Sequence, residues 1–294
     1  MVRKRLFGVS THLYHGQRLS RDHIVEVGAH GFEAVELFAT QTHFDYHNPG
    51  AIADLQGWLA EGRAVLHSVH APVGESFAHG RWGPLFSLAS PDPAARQRAL
   101  DETERALHIA RRIPFQVLVL HLGVPKTPQS PPGENSRDAA RRSLDVLARL
   151  AEPLGVTLAV EVIPNELSRP ASLAHMVESL EDEGRLGVCL DFGHAHLCGG
   201  VIDAVETLAE HVCATHVHDN RGRTDEHLVP FDGTIDWPSA LTGVQKIGYE
   251  GVLLFEVGPQ GSTRGTLQRL REVRNRMERL LADAEWCIAC MCTS

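Results

Sequence analysis

Eight short β-rich runs alternate with helical stretches along almost the whole chain, and no Pro/Ser linker or shift in composition divides them. The runs are Leu6 to Ser10, Ala34 to Ala39, Val65 to His70, Val117 to Leu122, Thr157 to Val162, Leu186 to Asp191, Ala214 to Asp219 and Val252 to Val257. Helices are predicted over Ser20 to Ala29, Ala51 to Glu61, Pro93 to Arg112, Asn135 to Leu154, Pro170 to Glu183, Ile202 to His211, Trp237 to Ile247 and Ser262 to Ala282. Asp92 before Pro93 reads as a cap followed by a first-turn proline, and Gly31, Gly62, Gly155, Gly184 and Gly248 stand where helices should stop. This alternation predicts a single α/β domain over residues 1–284 with the architecture of a (β/α)8 TIM barrel. An open doubly wound sheet would call for a Gly-rich phosphate loop after its first strand, where this chain has Thr11-His12-Leu13-Tyr14-His15-Gly16.

The length of 294 residues and 43% hydrophobic content are enough for a large core. A net charge of −9 argues against a broad basic surface for nucleic acid. No apolar run approaches the roughly 20 residues that cross a bilayer, and the opening MVRKRLFGVS leads into polar sequence, so the expected compartment is the cytoplasm. Cys287, Cys290 and Cys292 crowd the last eight residues, and residues 285–294 are expected to be a disordered tail. The 18 histidines direct attention to a metal site, because imidazole is the commonest side-chain metal ligand.

Acids and histidines fall at the same end of six successive strands: His70, His121, Glu161, Asp191 with His194, His216 and Glu256. A barrel gathers those ends around one axis, at the face where such folds place their active sites. Alternation turns Glu161 inward with Ala159 and Glu256 inward with Leu254. Buried carboxylates need partners, and a divalent cation shared by Glu161, Asp191, His216 and Glu256 supplies one. Mixed N/O donors suit Zn²⁺, Mn²⁺, Co²⁺ or Mg²⁺. His12, His15, His43, His47, His67, His196 and His218 read singly as caps or satisfied buried groups, although His218 shares a strand face with His216. Asp225 and His227, two apart in the loop after the seventh strand, form either a ligand pair or a surface turn. Trp82, Phe86, Phe44 and Tyr46 lie on mouth loops, as an apolar wall or as packing. The Pro-rich segment from Gly123 to about Asn135 is expected to cover the barrel mouth.

Three strings, Cys189-Leu190-Asp191-Phe192-Gly193-His194, His216-Val217-His218-Asp219-Asn220, and Asp225-Glu226-His227 leading to Gly233-Thr234-Ile235-Asp236-Trp237, resemble the xylose isomerase-like TIM-barrel superfamily. In its sugar isomerase and epimerase branch the resemblance implies one metal held by Glu161, Asp191, His216 and Glu256. It implies Glu161 and Glu256 as acid and base on a small sugar or related hydroxy-carbonyl compound, through a metal-stabilised enediolate. His194, Arg221 and Arg223 are then substrate-binding candidates. In the endonuclease IV branch, a zinc phosphodiesterase acting on abasic DNA, the resemblance implies further ligands at His70, His121, His194, Asp225 and His227. All those positions carry suitable residues here. The sequence after the third strand, His70-Ala71-Pro72-Val73-Gly74-Glu75, lacks the wedge expected in that branch, and Phe192-Gly193 replaces its small polar pair. A dehydratase of the inosose dehydratase type is a further alternative on the same enediolate chemistry. The expected partner is a small sugar, with no nucleic acid and no membrane, and homo-oligomer formation is compatible with the fold.

Overall fold

A computed structural model describes residues 5–126, 133–180 and 185–291, with side chains up to residue 283. Its eight-stranded barrel is closed and all parallel. The barrel strands are β1 (Phe7–Ser10), β2 (Ala34–Phe38), β3 (Val65–His70), β6 (Val117–Leu120), β7 (Thr157–Glu161), β8 (Leu186–Asp191), β9 (Val212–Val217) and β10 (Leu253–Phe255). Around the barrel they run β1-β2-β3-β6-β7-β8-β9-β10, and β10 returns to β1. Among the described residues, β4 (Phe77–Ala78) and β5 (Arg81–Trp82) form an antiparallel hairpin in the loop after β3. The helices are α1 (Arg21–Ala29), α2 (Pro49–Gly62), α3 (Pro93–Leu107), α4 (Arg137–Ala151), α5 (Pro170–Glu178), α6 (Phe192–Leu197), α7 (Val201–Leu208), α8 (Trp237–Lys246) and α9 (Thr263–Met291).

Local chemistry starts these helices where the sequence indicates. Asp92 accepts hydrogen bonds from the Ala94 and Ala95 amides ahead of α3, Ser136 accepts from Ala139 ahead of α4, and Asp236 accepts from Ser239 ahead of α8. Asn135, expected as the first residue of α4, instead bonds both ways to the Val124 backbone and ties down the loop after β6. Gly62 differs from expectation too. Arg63, at φ 54°, takes the left-handed position that ends α2, while Gly62 lies against Gly28 of α1. A Cβ on Gly28 would stand 1.9 Å from the Gly62 carbonyl oxygen, so this glycine pair serves close helix packing. Strand β9 runs two residues ahead of its expected span, because Asp219 has left the barrel to pair with Leu228. Residues 127–132, most of the proposed mouth cover, and 181–184, with the predicted end of α5 and Gly184, lie outside the described residues. So do the side chains of the cysteine-rich tail.

Two layers of apolar packing hold the barrel. Leu118, Leu158, Val160, Val188 and Leu190 point outward under the helices and join the main core, while Val117, Val119, Ala159, Cys189 and Ala214 fill the interior. Ala34, Val252 and Leu254 form a further apolar cluster apart from the main core. Strand alternation carries the inward face two residues further, from Ala159 to Glu161, Cys189 to Asp191, Ala214 to His216 and Leu254 to Glu256. An apolar plug therefore lies beneath a buried polar ring.

Candidate metal centre and active site

Glu161 stands at the middle of that ring. One carboxylate oxygen is 3.0 Å from His70 Nε2 and 3.1 Å from His121 Nε2. The other is 3.2 Å from His216 Nδ1 and 3.3 Å from His194 Nδ1. His216 Nδ1 also lies 3.3 Å from Glu256 Oε2 and 3.8 Å from Asp191 Oδ2. Asp191 caps α6 by accepting from the His194 amide at 2.6 Å, and its second oxygen is 3.0 Å from His218 Nε2. Beside this group, Asp225 Oδ2 is 3.1 Å from both His194 Nε2 and His227 Nε2.

Three abutting donor sets result: Glu161, Asp191, His216 and Glu256; His70, His121 and Glu161; and His194, His218, Asp225 and His227. Within each set the donor atoms lie within 4.8 Å of one another. The four metal candidates and all five additional ones are thus brought together, and His218 joins them.

The tautomers show why a cation fits. His70 Nδ1–H donates to the Ala71 carbonyl at 2.8 Å and His227 Nδ1–H to the Glu256 carbonyl at 2.8 Å, which leaves each Nε2 facing a carboxylate. His216 is held the other way round. Its Nε2 lies 3.1 Å from Glu36 Oε2, so its Nδ1 faces the acids. Three imidazole lone pairs directed at carboxylate oxygens repel unless a cation, either a proton or a metal, lies between them.

The charge states follow the same crowding. Burial opposes ionisation of Glu161, but the neighbouring His216 and His121 outweigh it and hold the carboxyl well below its usual range. Burial and the Glu161 charge push Glu256 the other way, upward, against the pull of His216. Burial disfavours the charged form of His227, yet Asp225 and Glu256 raise it to about 9.

Above the ring a cavity of about 180 Å³ opens to solvent. Its floor holds His70, His121, Glu161, His194, Asp225, His227 and Glu256, and its wall includes His12, Phe38, Trp82, Leu85, Phe86, Val124 and Pro125. Trp82 and Phe86 therefore do form an apolar wall. Phe44 and Tyr46 are core packing instead, both buried, with the Tyr46 hydroxyl donating to Glu102 at 2.6 Å. Arg221 pairs with Glu226 at the surface, and neither it nor Arg223 is among the lining residues.

Sequence reasoning missed Glu36, which is fully buried and accepts from the Ser68 hydroxyl at 2.8 Å as well as meeting His216. Its signal was a lone acid in an apolar run, on the inward phase Ala34-Glu36-Phe38. Asp219 was missed as a hub. Its oxygens accept from the amides of Asn220, Phe231 and Ile235 and from the Trp237 indole, which folds the loop carrying Asp225 and His227 back over the site.

A closed parallel barrel with this acid and histidine ring defines the class: the xylose isomerase-like TIM barrel family matches residues 24–281, and the chain belongs to it. Among individual relatives, the chain is 28% identical over 257 residues to the uncharacterized protein MJ1311 of Methanocaldococcus jannaschii, covering 85% of this chain and 83% of that one. It is 27% identical over 246 residues to the L-ribulose-5-phosphate 3-epimerase UlaE of Salmonella paratyphi C, covering 77% and 78%. Among solved structures, a D-tagatose 3-epimerase-like protein superimposes with a TM-score of 0.77 at 25% identity, covering 95% of this chain and 98% of that one. The IolI protein with a bound zinc atom shares the fold, with a TM-score of 0.75 at 17% identity over 96% and 99% of the two chains.

Proposed function

We propose that the chain is a metal-dependent sugar epimerase or isomerase acting on a small hydroxy-ketone or hydroxy-aldehyde. The observation that carries this reading is the set of imidazole lone pairs and carboxylates converging at the strand ends, beneath a cavity of small-molecule size. The epimerase names among its relatives support it. Glu161, Asp191, His216 and Glu256 would hold the cation, with Zn²⁺, Mn²⁺, Co²⁺ and Mg²⁺ as the candidates. When bound, a divalent ion supplies Lewis acidity that polarises a carbonyl and its neighbouring hydroxyl.

The chain's own residues do the rest. Of the three carboxyl groups on the cavity floor, Glu161 and Glu256 are the acid and base, one to take a proton from the carbon beside the carbonyl and the other to deliver one. His194, on the same floor, is placed to hydrogen-bond a substrate hydroxyl. Trp82 and Phe86 narrow the mouth against water.

The three abutting donor sets also support a second reading, zinc-dependent phosphodiester hydrolysis, against which the apolar wall and the net charge weigh. The deciding experiment loads the purified chain with each metal and assays a ketose panel beside an abasic duplex. Cation-dependent ketose turnover, lowered by at least about 10³-fold in Glu161→Gln and Glu256→Gln, is expected. Duplex cleavage with no ketose turnover would replace the first reading with the second.

A further inference from the structure

The cavity is two-faced. Its floor is polar, whereas its rim carries two of the five most exposed large apolar side chains among the described residues, Trp82 at 37% and Leu85 at 46% exposure. Trp82 is not a loose surface residue. The β4–β5 hairpin pairs it with Phe77, its ring stacks near-parallel on His15 at 6.1 Å, and it packs at 6.1 Å from Phe38. A Cβ on Gly74 would stand 3.3 Å from its ring, so the indole lies close against the backbone. Holding apolar surface rigid and exposed loses hydrophobic stabilisation unless a ligand covers it.

Charge points the same way. No Arg or Lys is among the described lining residues, and residues 127–132, Thr-Pro-Gln-Ser-Pro-Pro, contain none either. Lys126 is exposed and follows the lining residue Pro125. Arg98 and Arg105 line a different cleft that meets Phe86, alongside Glu75, Asp101 and Glu102. With the reacting carbons at the metal and histidines of the floor, a phosphate at the far end of a substrate would meet no guanidinium or ammonium among the described wall residues.

We infer that the substrate is an uncharged hydroxy-ketone whose far end is apolar, such as a deoxyketose, and is not a sugar phosphate. This rests on the epimerase reading and narrows it: the reacting carbons meet the polar floor, and the remainder of the molecule covers the Trp82 and Leu85 faces.

The test gives the metal-loaded full chain matched pairs, L-rhamnulose with L-rhamnulose 1-phosphate and L-ribulose with L-ribulose 5-phosphate. The free ketoses should show at least tenfold higher kcat/KM, with L-rhamnulose ahead of L-ribulose. L-Rhamnulose should also change the indole fluorescence of the wild-type chain, a response lost in Trp82→Phe. Trp82→Ala should raise KM more than it lowers kcat, and Trp82→Phe should recover most of that loss. Faster turnover of the phosphate esters would overturn the inference and leave the epimerase reading standing. No turnover of any of the four compounds would overturn both.

Discussion

Replacing Asp219 with alanine should unfold the site's loop before it touches the barrel. The carboxylate is fully buried and accepts four hydrogen bonds, from Asn220 N at 2.9 Å, Ile235 N at 3.2 Å, Phe231 N at 2.9 Å and Trp237 Nε1 at 2.8 Å. Alanine leaves those donors without their acceptor, at about 1 kcal/mol or more each, so a total near 4 kcal/mol is expected. At about 2–4 °C per kcal/mol, typical of domains of this order of size, the melting temperature should fall by roughly 10 °C. Trp237→Phe removes one donor and keeps the buried ring, and should cost about 1 kcal/mol. The loop pinned here carries Asp225 and His227, which line the cavity floor, so ketose turnover should fall in step. Thermal melting and turnover of wild type, Trp237→Phe and Asp219→Ala give the series. A loss below about 1 kcal/mol in Asp219→Ala would refute the hub, because four donors left without their acceptor, three of them fully buried, cannot be that inexpensive.

Glu36→Gln keeps the shape that meets Ser68 but loses the charge behind His216, and should weaken metal affinity by about 10- to 100-fold in a chelator competition. Equal affinity would mean that Glu36 does not orient the ring. Gly193→Ala puts a methyl 2.0 Å from His218 Cε1, and melting should show a loss of about 1–3 kcal/mol as the His218 contact to Asp191 is pushed apart. Burial holds His43 neutral, with its pKa lowered to about 4 from the ordinary 6.5. The unfolded chain therefore binds the extra proton first as pH falls. Stability present above about pH 6.5 should be lost down to about pH 4, by about 3 kcal/mol from this group. Denaturant titrations at several pH values should show that slope reduced in His43→Asn, whose amide can replace the Nδ1–H bond to the Gln17 carbonyl.

Much of the barrel was legible because a parallel strand buried on both faces must alternate between a helix side and an axis side. Once Ala159 was inward, Glu161 had to be inward too. The Asp92 cap was legible because it acts within three residues of itself, whereas the start of α4 fell at Ser136, one residue past the expected Asn135. What could not be read depended on partners distant in sequence. Gly62 looked like a helix stop until Gly28 lay against it, and Glu36 had no visible purpose without His216, 180 residues away. The β4–β5 hairpin has two residues per strand, too few for any period to register. Asp219 was hidden for another reason. Its four donors come from the irregular loop after β9 and from the first residue of α8, where no period marks them as neighbours.

Solvent-proton exchange tests the central claim most directly. In D₂O, the metal-loaded chain should turn a ketose into an epimeric ketose or an aldose carrying one deuterium at the rebuilt carbon, because the carboxyl group that delivers the proton draws it from solvent. Product that keeps its original protium throughout would contradict the two-carboxylate account.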